Sequence, residues 1–237
     1  MKILGIDGSG LVASVAIVED DNLIGEYTTG YKKTHSQTLL PMLDELSKMV
    51  ELDLNSIDAI AVAAGPGSFT GLRIASATAK GLGLSLGCPI ISVPTVDALA
   101  YNMWGSSDVI CPILDARRGQ VYTGLYEFDQ DGSLHVLKEQ CAVDFHDIAE
   151  EINSLGRPVT FLGDGTPVFA EMISSIIKVP YRFAPAHVNR QHASSVAALG
   201  AVYYANGECQ PAADHRPEYL RLSQAERERL EKKGSLQ

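Results

Sequence analysis

The chain has 237 residues, of which 46% are hydrophobic, and it carries a formal net charge of -10 at pH 7. This size and composition predict a full hydrophobic core in one large or two small domains. The negative charge repels polyanions, so any contact with RNA would need a partner. No apolar run reaches membrane-spanning length and Lys2 interrupts the N-terminal apolar stretch, so we expect neither a membrane span nor a signal peptide, and a cytoplasmic location.

The first part of the chain predicts the element order β-β-β-α-β-α. The expected strands are 2–7, 12–18, 22–28, 57–64 and 89–93, and the expected helices are 39–50, 71–86 and 95–104. The start of the first helix is ambiguous, because Thr34 and Gln37 form a capping-box pattern that would leave Pro41 inside the helix. Thr38 is therefore the favoured cap.

The same plan restarts in the second part of the chain. Strands are expected at 109–115, 120–128, 134–141 and 159–162, and helices at 144–155 and 166–177. Aligning Asp7 with Asp115 superimposes the first two strands of each half. Internal repetition of this kind predicts two homologous lobes that face each other across a cleft.

The boundary between the lobes is expected near 105–107, which gives lobes of 1–105 and 106–207. The segment 208–237 is expected to pack back on the first lobe and to complete it. Mixed charges at helical spacing predict a solvated helix at 226–233 within that segment.

The segment 65–73, Gly-Pro-Gly-Ser-Phe-Thr-Gly-Leu-Arg, joins an apolar strand to a long helix and is called the glycine turn here. Its glycines permit positive φ angles and leave free N–H groups at a helix N-terminus, where an anion could bind. It is neither a P-loop nor a dinucleotide fingerprint, since the following Lys-Ser/Thr and the glycine spacing are missing. Two interpretations stay open: a phosphate-binding turn, or a tight connection between strand and helix.

Two duplicated lobes, each with an acidic residue ending its first strand, resemble the actin, sugar-kinase and Hsp70 superfamily, an α/β fold whose cleft holds ATP. Within that superfamily, four features are similar to the bacterial TsaB family, an accessory subunit of the tRNA threonylcarbamoyladenosine machinery. They are residues 65–73, the turn 115–119, His35 with Ser36, and residues 217–221 followed by Ala225 and Glu226.

This resemblance implies a non-catalytic scaffold rather than an enzyme. Its partner would be the TsaD subunit, which carries the metal and transfers the threonylcarbamoyl group to the tRNA adenosine. The ATPase TsaE would join the assembly, tRNA would be contacted only through the complex, and the chain alone would form a homodimer.

The residues themselves agree with a chain that lacks its own metal and cofactor. No two of the six histidines are four residues apart, so the metal-binding His-x-x-x-His helix of the catalytic relative is missing. His35 is the one histidine with an expected role, because the family resemblance implies that it lies beside the glycine turn. The four cysteines have no C-x-x-C spacing and are interpreted as reduced, mostly buried thiols.

A vestigial nucleotide cleft is expected between the lobes. Its first turn, 7–10, has the small residues that a phosphate needs, whereas the second turn, 115–119, places two arginines where glycines would be wanted. The candidate cleft residues are Asp7, Ser9, Asp115, Arg117, Arg118 and Asp164. No catalytic residue is assigned.

Two helices offer a partner surface. The first has an apolar face wider than one buried stripe, and the second repeats small residues every four positions, which allows close packing of another helix or of the sheet beneath. The family resemblance favours the packing of both helices against helices of the TsaD partner. The expected interface residues are Leu39, Leu40, Met42, Leu43, Leu46, Met49, Gly71, Ala75, Ala79 and Gly83.

Two other functions are alternatives to a scaffold. An autonomous ATP-dependent small-molecule kinase of the same fold would need intact phosphate turns in both lobes. A peptidase would need a nucleophile, and no Ser/His/Asp or Cys/His set is recognisable; Ser68 lacks the G-x-S-x-G pattern.

Overall fold

The computed structural model of the chain describes residues 1–31 and 33–221. The predicted helix 226–233 and the pair Ala225 and Glu226 lie outside these residues. The strands are β1 (Lys2–Asp7), β2 (Ala13–Glu19), β3 (Asn22–Thr29), β4 (Ala59–Gly65), β5 (Ile90–Pro94), β6 (Val109–Arg117), β7 (Gln120–Phe128), β8 (Leu134–Asp144), β9 (Val159–Leu162) and β10 (Tyr181–Phe183). The α-helices are α1 (His35–Met49), α2 (Phe69–Leu86), α3 (Thr95–Tyr101), α4 (Phe145–Leu155), α5 (Thr166–Ile176) and α6 (Ala193–Ala205).

Two five-stranded sheets have the same topology. The first has the order β3-β2-β1-β4-β5 and the second the order β8-β7-β6-β9-β10. In both, the first three strands are antiparallel and the fourth runs parallel to the first. The predicted duplicated two-lobed α/β fold is confirmed.

The first sheet is covered on both faces, because successive side chains of a strand point to opposite sides. Leu4 and Ile60 belong to a core with α1 and α2, whereas Ile3 and Ala61 belong to a core with α6. β4 is apolar and buried along its whole length, as expected of a strand covered on both faces.

A buried hydrogen bond joins the two lobes. The Tyr126 hydroxyl of β7 donates to the Asp97 carboxylate of α3 at 2.7 Å, and the Tyr203 hydroxyl of α6 donates to the same carboxylate at 3.3 Å. Burial raises the pKa of Asp97 to about 6. The lobes therefore share a continuous packed interior behind the cleft.

The prediction that α1 begins after Thr38 is wrong. The helix begins at His35, with Thr34 as its cap, and the Thr34 backbone N–H lies 3.3 Å from the Gln37 side-chain oxygen that accepts from it. Pro41 lies inside the helix. It is tolerated because Pro41 and Gln37, the residue whose carbonyl loses its helical donor, both face solvent.

Two elements were missed by sequence reasoning, α6 and β10. The sequence of α6 has no polar face that would reveal a helical period, and β10 has three residues. The predicted second lobe, 106–207, contains α6, yet Val196 and Ala197 of this helix pack against the first sheet. A helix buried against a sheet needs no amphipathic pattern.

Residues 208–221 lie against the first lobe. Gln210 and Ile90 exchange two backbone hydrogen bonds of 2.9 Å at the edge of the first sheet, and Ala212 joins the core beneath α2. The segment then runs to the mouth of the cleft. Within the described part of the chain, no helix has both the length and the apolar character that a bilayer crossing requires.

Candidate functional site

A cavity of about 420 Å³ lies between the lobes. Five segments that are distant in sequence line it: the first turn, the glycine turn, the second turn, Asp164 and residues 217–221. Four of the sequence motifs singled out above therefore meet at one place. Asp7 and Arg118 do not line the cavity, whereas Ser9, Asp115, Arg117 and Asp164 do.

The first turn is closed on itself. The Asp7 carboxylate is buried and accepts hydrogen bonds from the Ser9 backbone N–H at 2.8 Å and the Ser9 hydroxyl at 2.6 Å. Burial raises the pKa of Asp7 to about 6, against the lowering effect of these bonds. His35 lies beside this turn, and its Nε2 atom donates to the Gly10 carbonyl at 2.9 Å.

The glycine turn packs on the first turn. The Ser68 N–H donates to the Ser9 carbonyl at 2.6 Å, and the Gly71 N–H donates to the Ser68 hydroxyl, which caps α2. A Cβ on Gly67 would overlap the carbonyl oxygen of Ser9, and one on Gly71 would overlap that of Gly8. Of the two interpretations left open, these contacts favour the tight connection, because the glycines admit the neighbouring backbone.

The second turn differs from the first. It is a two-residue hairpin turn between β6 and β7, and Arg117, Arg118 and Gly119 all have positive φ angles, of 68°, 58° and 75°. The Arg117 guanidinium pairs with Asp115 at 3.1 Å and is largely exposed. Asp115 therefore has a cationic partner from its own turn.

Asp164 lies next to the second turn, and its carboxylate accepts a hydrogen bond from the Asp115 backbone N–H at 3.4 Å. Burial raises the pKa of Asp164. Gly163 permits this approach, since its φ angle is +106° and a Cβ there would overlap the Ile113 carbonyl oxygen. The structure thus brings Asp115, Arg117 and Asp164 together on the second lobe, opposite Ser9.

Residues 217–221, named the strap here, cross the cleft. The Glu218 N–H donates to the Ala64 carbonyl of the first lobe at 2.7 Å. An Arg221 Nη1–H donates to the Ala116 carbonyl of the second lobe at 2.7 Å. The sequence identifies these residues only as a family signature. Their contacts with Ala64 and Ala116 join positions more than 100 residues apart, and such contacts leave no local sequence pattern.

Most of the expected interface residues are buried inside their own lobe. On α1, Leu40 and Met49 are exposed, at 54% and 81%, whereas the other four expected residues belong to the core. On α2, all four expected small residues face inward. The small-residue ridge therefore packs on its own lobe, and its assignment to a partner contact is corrected. The buried residues are Leu39, Met42, Leu43, Leu46, Gly71, Ala75, Ala79 and Gly83.

The opposite face of α2 is exposed and was missed. Arg73, Ala77 and Gly81 follow one another at i+4 spacing on it, and Leu84 continues the stripe at 63% exposure. We call these four residues the outer α2 face. On the helical wheel Ala77 and Gly81 form a second pair of small residues about half a turn from the first stripe, but the wheel does not say which side of the helix faces the sheet.

Comparison with known proteins shows which family this chain resembles. The sequence model of the TsaD family, described as tRNA N6-adenosine threonylcarbamoyltransferase, matches residues 22–229. The tRNA threonylcarbamoyladenosine biosynthesis protein TsaB of Bacillus subtilis (strain 168) is 36% identical over 98% of this chain and 99% of its own length. This chain belongs to the TsaB family. TsaB of Escherichia coli (strain K12) is 31% identical over 73% of this chain and 75% of its own length.

Solved structures agree with this TsaB-family assignment. YeaZ from Pseudomonas aeruginosa aligns with a TM-score of 0.78 and 27% identity, over 92% of this chain and 99% of that one. A second Pseudomonas aeruginosa structure, described as an uncharacterized protein with similarity to peptidase YeaZ, aligns with a TM-score of 0.77 and 25% identity, over 93% of this chain and 99% of that one.

This TsaB-family chain does contain one close Ser–His pair. The Ser92 hydroxyl lies 2.9 Å from His215 Nδ1, but His215 is buried and its burial lowers its pKa to about 4. A general base works best with a pKa near the operating pH. The pair lies outside the cavity between the lobes, and we assign it a structural role.

Within residues 1–31 and 33–221, no three His, Cys, Asp or Glu side chains come together as metal ligands. The predicted absence of a metal site stays a prediction for the chain as a whole.

Proposed function

We propose that this TsaB-family protein is a non-catalytic subunit in tRNA threonylcarbamoyladenosine biosynthesis, which binds and stabilises a TsaD-like catalytic subunit. Relatives matched over most of their length bear the name of this biosynthesis. The match to the TsaD sequence model supports a partner of related fold, whose helices can pack on equivalent helices of this chain. A TsaE-like ATPase joins the assembly, tRNA is reached only through the complex, and the free chain pairs as a homodimer.

Gly81 is the observation that carries the proposal. A glycine inside a helix costs about 1 kcal/mol relative to alanine, so a compensating contact is expected. For Gly71 that contact lies within the chain, against the first turn, and for Gly83 it lies against Ala212 and Cys88. At Gly81 a Cβ would meet nothing within 4 Å. We infer that the backbone of an external helix approaches α2 at this position.

The cleft supports a role without independent catalysis. Phosphate turns work by offering backbone N–H groups to the phosphates in a space that glycines keep open. Here the glycine turn and first turn fill that space for each other, through Ser68 and Ser9. The Asp7 carboxylate is likewise occupied within the chain, because it accepts hydrogen bonds from the backbone N–H and the hydroxyl of Ser9.

The experiment is co-purification of the full chain with the TsaD-like subunit encoded in the same genome. Gly81→Arg and Ala77→Arg place a bulky charge on the outer α2 face without entering the core, and we expect both to abolish the complex. Val168→Arg on α5 is the matched control, because Val168 is a comparably exposed helical position, at 64%, on the other lobe.

Substitutions such as Leu43→Glu or Ala79→Arg would be poor tests, since both residues are buried in the core. If the complex survives both charge substitutions on the outer α2 face while each variant remains folded, the partner surface lies elsewhere.

An autonomous kinase remains the alternative, and the cavity of about 420 Å³ is what favours it. Two carboxylates, Asp115 and Asp164, line the cavity, and carboxylate oxygens are ligands that Mg²⁺ accepts. Calorimetric titration of the isolated protein with ATP and Mg²⁺ separates the two. Tight binding with turnover would support the kinase, and no binding would support the accessory subunit.

A further inference from the structure

The strap and the outer α2 face meet at Arg73. The Arg73 guanidinium carbon lies 3.9 Å from the centre of the Phe69 ring, one helical turn earlier. The Tyr219 ring of the strap packs on the Phe69 ring at 4.8 Å between centroids, and Arg73 Nε–H donates to the Tyr219 hydroxyl at 3.2 Å. An exposed arginine is thus held over the Phe69 ring by a hydrogen bond to Tyr219, whose own ring packs on Phe69.

We propose that the strap positions Arg73 to receive a carboxylate from the catalytic partner, so that partner affinity depends on Tyr219. This inference rests on the proposed function. The guanidinium fork matches a carboxylate in geometry. Within residues 1–31 and 33–221, its one hydrogen bond runs from Nε to Tyr219, so the Nη groups can donate to a partner. Arginine and tyrosine are also the residue types enriched where interface energy is concentrated.

The position of Arg73 follows from the helix. Arg73, Ala77 and Gly81 lie on one line, and Arg73 is about 12 Å from Gly81 along the axis. A partner helix that approaches closely at Gly81 and follows α2 therefore passes the guanidinium. A carboxylate is favoured over an RNA phosphate, because this chain has a net charge of -10 and its overall field repels nucleic acid.

The strap itself is held at both ends of the cleft. Glu218 is bonded to Ala64 on the first lobe, and its side chain accepts a hydrogen bond from Gln140 of the second lobe at 3.4 Å. Arg221 is bonded to Ala116 of the second lobe. Tyr219 is therefore fixed before any partner arrives, and Arg73 loses less side-chain freedom on binding than a free arginine would.

The test measures the dissociation constant of the full-length chain with the purified TsaD-like subunit by calorimetry. We expect Arg73→Ala to weaken binding about tenfold and Tyr219→Ala about fivefold, in line with the loss of a charged contact and of its preorganisation. Arg73→Lys should bind the partner almost as weakly as Arg73→Ala, because an ammonium lacks the planar fork. Tyr219→Phe, which keeps the ring and loses the hydrogen bond, should fall between Tyr219→Ala and the unmodified chain.

A double-mutant cycle separates positioning from a direct contact of Tyr219 with the partner. In the Arg73→Ala background, Tyr219→Ala should cost nothing further, since its effect acts through Arg73. Tyr181→Ala is the control, because Tyr181 is equally exposed, at 37% against 39% for Tyr219, and lies on β10. It should leave the dissociation constant unchanged.

Unchanged affinity of Tyr219→Ala, or an equal loss in both backgrounds, would overturn the inference. If Arg73→Ala leaves the protein–protein affinity intact and weakens only the binding of tRNA to the complex, the ligand of Arg73 is a phosphate and the carboxylate assignment is wrong. Failure of the unmodified chain to bind the TsaD-like subunit at all would instead overturn the proposed function, and this inference with it.

Discussion

The inner and outer faces of α2 both carry small residues at i+4 spacing, in opposite environments. The inner face has Gly71, Ala75, Ala79 and Gly83 at i+4 spacing, and the outer face has Ala77 and Gly81 at the same spacing. The inner residues are small because the first turn and the sheet approach them closely. The outer residues are small with nothing of the described chain against Gly81.

This difference shows that a stripe of small residues specifies a close approach without saying what approaches. On the inner face, the approaching groups are the first turn and the sheet of the same lobe. On the outer face, we propose that the approaching group belongs to a partner, and the outer α2 face therefore replaces the inner ridge as the proposed partner surface.

The largest expected effect contrasts Ala79→Arg with Ala77→Arg. Ala79 is completely buried in the first core, so an arginine there would bury an unpaired charge, and we expect a protein that does not fold. Ala77→Arg should change the free energy of unfolding by less than about 0.5 kcal/mol. Urea denaturation of both variants measures this, and equal stabilities would remove the distinction between the two faces.

The same contrast applies to α1, where Leu43 is buried and Leu40 is 54% exposed. Leu43→Ala should lower the free energy of unfolding by about 3 kcal/mol, through lost burial and the cavity that remains. Leu40→Ala should cost about 0.5 kcal/mol or less. Thermal and urea unfolding of the two single variants provide the measurement. A larger loss of stability for Leu40→Ala than for Leu43→Ala would mean that α1 buries a different face from the one described here.

The close approach of the inner face to the first turn also buries Asp7, which predicts a pH dependence. Its pKa is raised from 3.8 to about 6 in the folded protein, so the folded state holds the proton more tightly than the unfolded state. The stabilising contribution of the protonated form is complete below pH 3.8 and is lost as the pH rises through about 6.

Asp7→Asn keeps an oxygen that can accept from Ser9 and carries no charge. We expect this variant to be more stable than the unmodified protein at pH 7.5, by up to about 3 kcal/mol, with the difference vanishing towards pH 4. Denaturant unfolding at both pH values tests it. A difference of the same size at both would show that charge burial is not the cause.

The smallest expected effect compares two glycines of one helix. Gly71→Ala should destabilise the isolated protein by about 1–2 kcal/mol, because the new Cβ forces the first turn to move. Gly81→Ala should stabilise the isolated protein by roughly 0.5–1 kcal/mol, since the site is open and alanine favours the helix. The same Gly81→Ala change should weaken partner binding, and a variant that gains stability without losing affinity would contradict the role given to Gly81.

Much of the fold was predictable because its signals are local. β1 ends at Asp7 and β6 carries Asp115 two residues before its end, and the helices and strands between them follow the expected order. The two elements that were not predicted have no visible hydrophobic periodicity. The sequence of α6 has no polar face, and β10 is too short to show alternation. The start of α1 was predicted wrongly because a proline is disfavoured inside a helix, whereas here Pro41 and Gln37 both face solvent.

The sequence by itself determined the duplicated architecture, the family signature and the absence of a His-x-x-x-His pair, since each depends on residue identity and on short spacing. Only the tertiary structure decided that the inner stripe of α2 faces its own lobe, that the glycine turn is filled by the first turn, and that the strap holds Arg73. These outcomes depend on contacts between residues far apart in the chain, such as Arg73 with Tyr219, and such contacts follow from how the lobes pack rather than from any local pattern.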